Sequence, residues 1–217
     1  MKQVFAPGCA LLIYKPNLAA KMFDWLKKKN AGFTEHTICC HHEPQLPKES
    51  CIINTCAGCD RRYRELYEGV STLSFWEILA ECDDFPFPDY KQREMSIADA
   101  CPTRDQARVH QAIRTLLKKM NIVLVEPEKS GANATCCGDS FYGVLPIEEV
   151  KQQMKQRAAE MPVDDVVVYC VSCIKALHIG GKSPRYLVDL LFGEETHPGT
   201  FEPDQWHAEL EAFIETH

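Results

Sequence analysis

Short apolar segments alternate with longer amphipathic segments along this chain, and the whole series occurs twice. Strand-like apolar runs cover residues Gln3–Ala6 and 95–98. Each run is followed by a stretch in which apolar residues recur with helical spacing, at 18–29 and at 106–120. Strands that alternate with helices in this way predict parallel βαβ units.

The later segments of the two series also match in order. In each series an extended segment, a further strand, a short helix and a closing apolar segment follow one another. These pairs are 35–38 and 122–125, 51–53 and 166–169, 60–67 and 174–178, and 75–79 and 186–192. The repetition predicts an α/β fold with two similar βαβ-type halves that arose by internal duplication. We expect parallel sheets related by pseudo-symmetry.

Cysteine is the unusual residue in an otherwise ordinary composition. The chain has 12 cysteines in 217 residues, 45% hydrophobic residues, 25% charged residues and a net charge of −7. The negative charge argues against a nucleic-acid-binding surface, and the apolar runs are too short for a transmembrane segment. No secretory signal is evident, so we expect a cytoplasmic, reducing environment. There, many cysteines indicate metal or redox chemistry rather than disulfides.

Ten of the cysteines form two sets with one spacing pattern: a lone cysteine, an adjacent Cys-Cys pair and a Cys-x-x-Cys motif. The first set is Cys9, Cys39, Cys40, Cys56 and Cys59, and the second is Cys101, Cys136, Cys137, Cys170 and Cys173. Because they follow predicted parallel strands, we expect them on loops at strand ends, where they converge. Cys51 and Cys82 are outside the pattern and are expected to be small buried hydrophobes.

The halves differ by the length of one helix. Between the Cys-Cys pair and the Cys-x-x-Cys motif lie 15 residues in the first half and 32 in the second. A candidate helix at 147–161 lies in the longer interval, whereas the shorter interval contains two prolines and is predicted to be a loop. We therefore expect a shortened first half over 1–90, without its crossover helix. A second half over 91–217 would carry an additional C-terminal helix.

Three chemistries could use such a set of five thiolates. Zinc takes four thiolates, but a zinc ribbon has its two Cys-x-x-Cys motifs about 15–20 residues apart, and here 110 residues separate them. Dithiol exchange of the thioredoxin type uses one Cys-x-x-Cys motif and leaves the other cysteines unexplained. An iron–sulfur cluster takes four or more thiolates, and an adjacent pair can reach two neighbouring irons.

The pattern resembles the cysteine-rich CCG domain family. Its members include the cysteine-rich subunit of heterodisulfide reductase and the iron–sulfur subunits of glycolate, lactate and glycerol-3-phosphate oxidising systems. The second half fits throughout, with Cys136-Cys137-Gly138 and the stretch DACPTRDQARVHQAIRTLL around Cys101. The first half departs from the pattern, because His41 replaces the glycine and the second interval is short.

The resemblance implies an iron–sulfur oxidoreductase subunit, heterodisulfide reductase-like, with one [4Fe-4S] cluster of the non-cubane form in each half. It implies that the ten patterned cysteines are the ligands, with zinc as an alternative in the first half. The substrate would be a small disulfide or thiol. Electrons would pass to or from a flavoprotein or a ferredoxin-like subunit, since the chain has no nucleotide-binding motif of its own. The alternatives are a non-catalytic electron-transfer subunit and a zinc-stabilised binding module.

Two histidines directly follow the first Cys-Cys pair. His41 and His42 are candidate catalytic residues, because reduction of a disulfide requires protonation of two thiolates and histidine titrates near neutral pH. The competing interpretation is a pair of exposed loop histidines without a catalytic role.

Overall fold

Two four-stranded sheets, both parallel throughout, form the framework of the computed structural model, which describes residues 2–199 and 202–217. The first sheet has the order β2-β1-β3-β4 and the second has the corresponding order β6-β5-β7-β8. The strands are β1 (Gln3–Ala6), β2 (Thr34–Glu35), β3 (Ser50–Asn54), β4 (Val70–Ser74), β5 (Arg93–Ile97), β6 (Ile122–Leu124), β7 (Asp165–Val168) and β8 (Ser183–Tyr186). The predicted α/β class with two similar parallel halves is confirmed.

Helices connect these strands and flank the sheets. They are α1 (Cys9–Tyr14), α2 (Pro16–Lys29), α3 (Ala57–Leu66), α4 (Phe75–Ala80), α5 (Ala107–Lys119), α6 (Ile147–Ala159), α7 (Val171–Ile179), α8 (Leu187–Phe192) and α9 (Pro203–Thr216). In the second half a single 3-10 turn, Cys101–Thr103, stands where the first half has α1. Within the described residues, no helix is both long enough and apolar enough to span a bilayer.

Burial explains why the central strands were recognisable in the sequence. β3 and β7 lie between neighbours, and residues such as Ile52, Ile53 and Val167 are fully buried. Central strands of a parallel sheet are covered on both faces, so they consist of continuous apolar residues. Helix α2 likewise buries Leu18 and Leu26 completely, on the face that its periodicity predicted.

Strands β4 and β8 were not predicted from the sequence, and β2 is shorter than predicted. β4 is mostly half-exposed, and β8 is a short strand that contains Pro184, so neither carries a continuous apolar signal. Both run directly into the apolar helices α4 and α8, which dominated the pattern there. β2 is only Thr34–Glu35, whereas the prediction placed an extended segment at 35–38.

The two halves pack against each other through matching pairs of elements. Helix α4 of the first half packs on α5 of the second. Their counterparts with the halves exchanged, α8 of the second half and α2 of the first, also pack on each other. Helix α3 packs on the Cys101–Thr103 turn, and in the reverse sense α7 packs on α1. Each contact recurs with the halves exchanged, which is the signature of a pseudo-two-fold relationship.

The expected crossover helix is present only in the second half, as α6. Residues 36–49, all of which the structure describes, contain no helix in the first half. The last helix, α9, packs on α1 of the first half and also contacts residues of the second. It therefore lies across both halves rather than extending the second alone.

Candidate functional site

The first set of cysteines gathers at one end of the first sheet. Cys9 begins α1 just after β1, Cys56 precedes α3 just after β3, and Cys59 lies in the first turn of α3. Cys39 and Cys40 lie on the segment that follows β2. The carboxyl ends of parallel strands share one edge of a sheet, so residues up to 50 positions apart are brought together. We call these five residues the first quintet.

The second set repeats this placement. Cys101 begins the 3-10 turn after β5, Cys136 and Cys137 lie on the segment after β6, Cys170 follows β7, and Cys173 lies in the first turn of α7. We call these five residues the second quintet. The predicted convergence of each set is thus matched by the structure.

The prediction that all ten cysteines lie on loops is wrong for four of them. Cys9, Cys59 and Cys173 belong to α-helices, and Cys101 belongs to the 3-10 turn. The reason is that these helical elements begin three or four residues after the end of the preceding strand. Their thiols therefore project from the first helical turn at the strand ends.

The thiols of each quintet form a chain of side-chain contacts, in the same order in both halves. The lone cysteine contacts the first of the adjacent pair, which contacts the second. The second contacts the last cysteine of the Cys-x-x-Cys motif, which contacts the first. The Sγ atoms of Cys101 and Cys136 are 3.7 Å apart, and all twelve cysteines are free thiols.

This chain of contacts shifts the thiol pKa values in parallel directions. Hydrogen bonds from Cys40 and Cys9 lower the pKa of Cys39 to about 2, and the same interaction with Cys39 raises the pKa of Cys9. The equivalent contacts lower the pKa of Cys136 and raise that of Cys101. The first cysteine of each adjacent pair is therefore the strongest thiolate, and the thiolate is the form that binds metals.

Cys56 is a further thiolate candidate in the first quintet. The hydrogen bond from Cys59 lowers the pKa of Cys56 to about 7, although burial opposes the shift. The other cysteines of the chain, Cys51 and Cys82, lie outside both quintets. Cys51 is buried within β3, and Cys82 is half-buried near the end of the first half.

No group of three or more His, Cys, Asp or Glu side chains in residues 2–199 and 202–217 has the arrangement of a single-ion site. The sulfurs of a quintet follow one another in pairwise contact instead.

Both quintets open into one cleft between the halves. The cleft has a volume of about 760 Å³, and nine of the ten patterned cysteines line it; Cys39 lies behind its neighbour Cys40. Leu210 and Ile214 of α9 form part of its wall. A small molecule in this cleft would contact sulfur atoms from both halves.

The backbone just before each lone cysteine is hydrogen-bonded to the residue that precedes the Cys-x-x-Cys motif of the same half. In the first half the Thr55 hydroxyl donates to the Pro7 carbonyl, at 2.8 Å. In the second half the Tyr169 hydroxyl accepts from the Ala100 N–H at 2.9 Å and contacts the Asp99 carboxylate at 3.1 Å. The two motifs that supply the quintet are thereby tied to each other.

Asp99 is a buried charge two residues before Cys101 of the second quintet. It is 2% exposed, and Arg114 donates two hydrogen bonds to it, at 2.7 and 2.8 Å. Burial raises the pKa of Asp99, but the hydrogen bonds and charge of Arg114 outweigh burial and leave it lowered. Asp99 and Arg114 are 15 residues apart in the sequence, and no motif indicated their pairing.

The two candidate histidines have different environments. His41 lines the cleft, and its pKa is lowered by partial desolvation of its otherwise exposed ring and by the positive charge of Arg62. The Nε2 atom of His42 lies 2.7 Å from the Ile214 carbonyl oxygen of α9. The structure therefore brings His41 to the site, and it gives His42 a contact with the C-terminal helix.

Helix α9 reaches both quintets, which the sequence interpretation missed. Trp206 donates to the Ser172 hydroxyl at 3.0 Å, and His207 Nε2 lies 3.1 Å from Asp139, close to the second quintet. At the other end the His217 carbonyl accepts from the Cys39 N–H at 3.0 Å. The only sequence signal was an amphipathic tail, because these contacts join residues far apart in the chain.

Comparisons with known proteins give no family for this chain. No family model and no curated protein matches it. Among solved structures, aspartate racemase from Picrophilus torridus aligns at a TM-score of 0.35 and 10% identity, covering 89% of this chain and 94% of that one. A match at this level carries no argument about activity.

Proposed function

We propose that this chain is the iron–sulfur subunit of an oxidoreductase of the CCG type. Each quintet would bind one [4Fe-4S] cluster of the non-cubane form. A disulfide or related sulfur substrate would be reduced in the cleft with electrons from a partner protein. The observation that supports the proposal most strongly is the pair of matching sulfur chains that open into one shared cleft.

The donor set of each half fits such a cluster. Five unpaired thiols meet at one sheet edge, one more than a cubane cluster requires. The contacts within each quintet favour a thiolate at Cys39 and at Cys136. The first cluster would be held by Cys9, Cys39, Cys40, Cys56 and Cys59, and the second by Cys101, Cys136, Cys137, Cys170 and Cys173.

Polar groups next to the second quintet would affect the reduction potential of a cluster bound there. The Ser140 hydroxyl is 2.8 Å from Cys136 Sγ, and the Gly138 N–H donates to the same sulfur at 3.4 Å. Hydrogen bonds to ligand sulfurs set the reduction potential of iron–sulfur clusters. When bound, the clusters would supply electrons to the cleft one at a time.

The chain itself would bind the substrate, exclude water and exchange protons. Leu210 and Ile214 cover one side of the cleft and reduce the access of water to it. Reduction of one disulfide to two thiols consumes two electrons and two protons. His41 is the histidine positioned to exchange protons with the cleft, whereas His42 would hold α9 in place.

The partner would be a flavoprotein or a ferredoxin-like subunit, docked where the cleft opens. We place the protein in the cytoplasm, because unpaired cysteines persist in a reducing compartment.

Electron paramagnetic resonance of the anaerobically purified, oxidised protein tests substrate contact. We expect the spectrum to change when 2-mercaptoethanol is added, because a thiol in the cleft would reach the cluster. An unchanged spectrum would contradict disulfide reduction and favour a non-catalytic electron-transfer subunit. A colourless protein that contains zinc and no iron would contradict the proposal altogether and indicate a zinc-stabilised binding module.

A further inference from the structure

The nine arginines of the chain fall into two groups according to their ion pairs. Six form ion pairs with aspartate or glutamate, namely Arg64, Arg93, Arg108, Arg114, Arg157 and Arg185. The other three, Arg61, Arg62 and Arg104, have no carboxylate partner anywhere in residues 2–199 and 202–217. All three line the cleft that contains the two quintets.

This distribution is unexpected for an acidic protein. The chain has 31 aspartate and glutamate residues against 24 lysines and arginines, so carboxylates are in excess. Guanidinium groups readily pair with carboxylates, and six of the nine arginines form an ion pair with a carboxylate. The other three are gathered in one cleft, where no carboxylate of the described residues pairs with them.

The three arginines come from both halves. Arg61 and Arg62 lie on α3 of the first half, and Arg104 follows the 3-10 turn of the second half, on which α3 packs. Arg62 and Arg104 each lie three residues after a quintet cysteine, Cys59 and Cys101 respectively. The cationic groups therefore border the sulfur-lined part of the cleft at the junction between the halves.

Two of the side chains are anchored. The Nε atom of Arg62 donates to the Cys40 carbonyl at 3.1 Å, and that of Arg104 donates to the Ala134 carbonyl at 2.6 Å. None of the hydrogen bonds within the described residues uses the terminal amino groups of Arg104. An anchored guanidinium loses less side-chain entropy when it binds an anion, so these positions are preorganised.

The cleft holds one carboxylate of its own, Asp139, which is paired with His207 at 3.1 Å. At the pseudo-symmetric positions of the other half, Leu12 corresponds to Arg104 and Ala176 corresponds to Arg62. Lys175 corresponds to Arg61, but its ammonium group donates to the Pro198 carbonyl at 3.0 Å and the residue does not line the cleft. The cleft therefore receives its arginines from one junction between the halves only.

We propose that Arg61, Arg62 and Arg104 form a subsite for the carboxylate or phosphate group of a small substrate, so that the disulfide or thiol taken by this cleft is anionic. This inference rests on the proposed function, since it names the substrate class of the same cleft. A small anion is favoured over an acidic protein surface because the arginines line the same concave space as the sulfurs.

Calorimetric titration of the anaerobically purified protein at constant ionic strength tests the subsite. The ligands are three disulfides that differ in charge: 3,3′-dithiodipropionate (anionic), bis(2-hydroxyethyl) disulfide (neutral) and cystamine (cationic). We expect the anionic disulfide to bind at least about tenfold more tightly than the neutral one, and cystamine to bind most weakly. Competition by acetate or by inorganic phosphate would identify which of the two anionic groups the subsite prefers.

Substitution of the arginines assigns the effect to these residues. Arg61→Gln, Arg62→Gln and Arg104→Gln should each weaken binding of the anionic disulfide about tenfold, with no change for the neutral one. Arg61→Gln is the cleanest of the three, because Arg61 anchors no loop. Arg108→Gln removes the same charge from an ion pair with Glu77 outside the cleft and should have no effect.

Suberate separates this proposal from the proposed function, because it replaces the S–S unit of 3,3′-dithiodipropionate by two methylene groups. If suberate binds and the arginine variants weaken it, the anionic subsite is supported whether or not a disulfide is reduced. Equal affinity for the anionic and neutral disulfides would overturn the subsite and leave the cluster assignment untouched. Binding of polyglutamate but of neither small dianion would overturn it in favour of an acidic protein partner.

Discussion

The two halves hold matching quintets but cover them with different helices. In the second half α6 packs on the segment that follows Cys137, close to Gly138. In the first half that helix is missing, and the end of α9 takes its place. Ile214 packs on a group of buried hydrophobic side chains that includes Cys39 and Cys40. The comparison shows that the thiol arrangement can persist while the element that shields it is exchanged.

This difference explains why one half has the CCG glycine and the other does not. Gly138 has φ 109°, and a Cβ atom there would lie 2.8 Å from the Met154 nitrogen and 2.7 Å from its Cγ, both in α6. A side chain is therefore excluded by the crossover helix as well as by the backbone conformation. The first half has no helix at this place, so an exposed His41 can occupy the corresponding position.

Removal of one cysteine ligand should have the largest effect, and only the half that loses the cysteine should lose its cluster. Cys137→Ala should abolish the second cluster and leave the first, and Cys40→Ala should do the reverse, so each variant should lose about half of the bound iron. Cys51→Ala is the matched control, since Cys51 lies outside both quintets and should leave the iron content unchanged. Iron analysis after anaerobic purification gives the result, and loss of all the iron in Cys137→Ala would mean that the two sites are not independent.

The glycine position gives the next largest difference. Gly138→Ala should lower the free energy of unfolding by about 3 kcal/mol, since it combines left-handed backbone strain with overpacking against Met154. His41→Ala should change it by less than about 0.5 kcal/mol, because His41 is exposed. Urea denaturation measures both, and equal losses in the two variants would remove α6 as the cause of the glycine requirement.

The hydrogen bonds next to the two lone cysteines should contribute to the free energy of unfolding with different dependence on pH. Asp99→Asn should cost about 2 kcal/mol near neutral pH, because it breaks the charged hydrogen bonds from Arg114. The folded-state pKa of Asp99 is lowered, so its contribution is present above its unfolded pKa and is lost as the pH falls through the folded value. The difference between variant and parent should therefore shrink in acid.

Thr55→Val is the matched substitution in the first half. It removes a neutral hydrogen bond to the Pro7 carbonyl, so its cost should be about 1 kcal/mol and independent of pH. Unfolding measured over a series of acidic buffers compares the two. A cost for Asp99→Asn that stayed constant into acid would refute the ionised pairing with Arg114.

The last difference between the halves is the cover that α9 provides for the first quintet. Deletion of residues 211–217 removes the carbonyl groups that bind Cys39 and His42. In the metal-free protein, alkylation of Cys39 and Cys40 should accelerate about tenfold, in line with the loss of roughly 1.4 kcal/mol of protection. Cys136 and Cys137 should react as before. Mass spectrometry of the labelled peptides measures these rates, and an equal acceleration in the second half would contradict a cover specific to the first.

Much of the fold could be predicted because the central strands and the long helices are apolar where the core requires it. β1, β3, β5 and β7 give clear signals, whereas β4 and β8 are short or half-exposed. The missing crossover helix was also visible, since it changes a spacing that the cysteines define.

The site could be predicted only as far as its cysteines. Their repeated spacing identified ten residues that the structure brings together as two quintets. The pairing of Asp99 with Arg114, the reach of α9 across both quintets and the unpaired arginines depend on contacts between distant elements. Such contacts leave no periodic pattern in the sequence, so they required the structure.

If each quintet holds iron and inorganic sulfide, chemical analysis of the anaerobically purified protein should find both in equal amounts. We expect about eight iron and about eight sulfide per chain, with no stoichiometric zinc. Stoichiometric zinc without sulfide, or iron without acid-labile sulfide, would contradict this expectation.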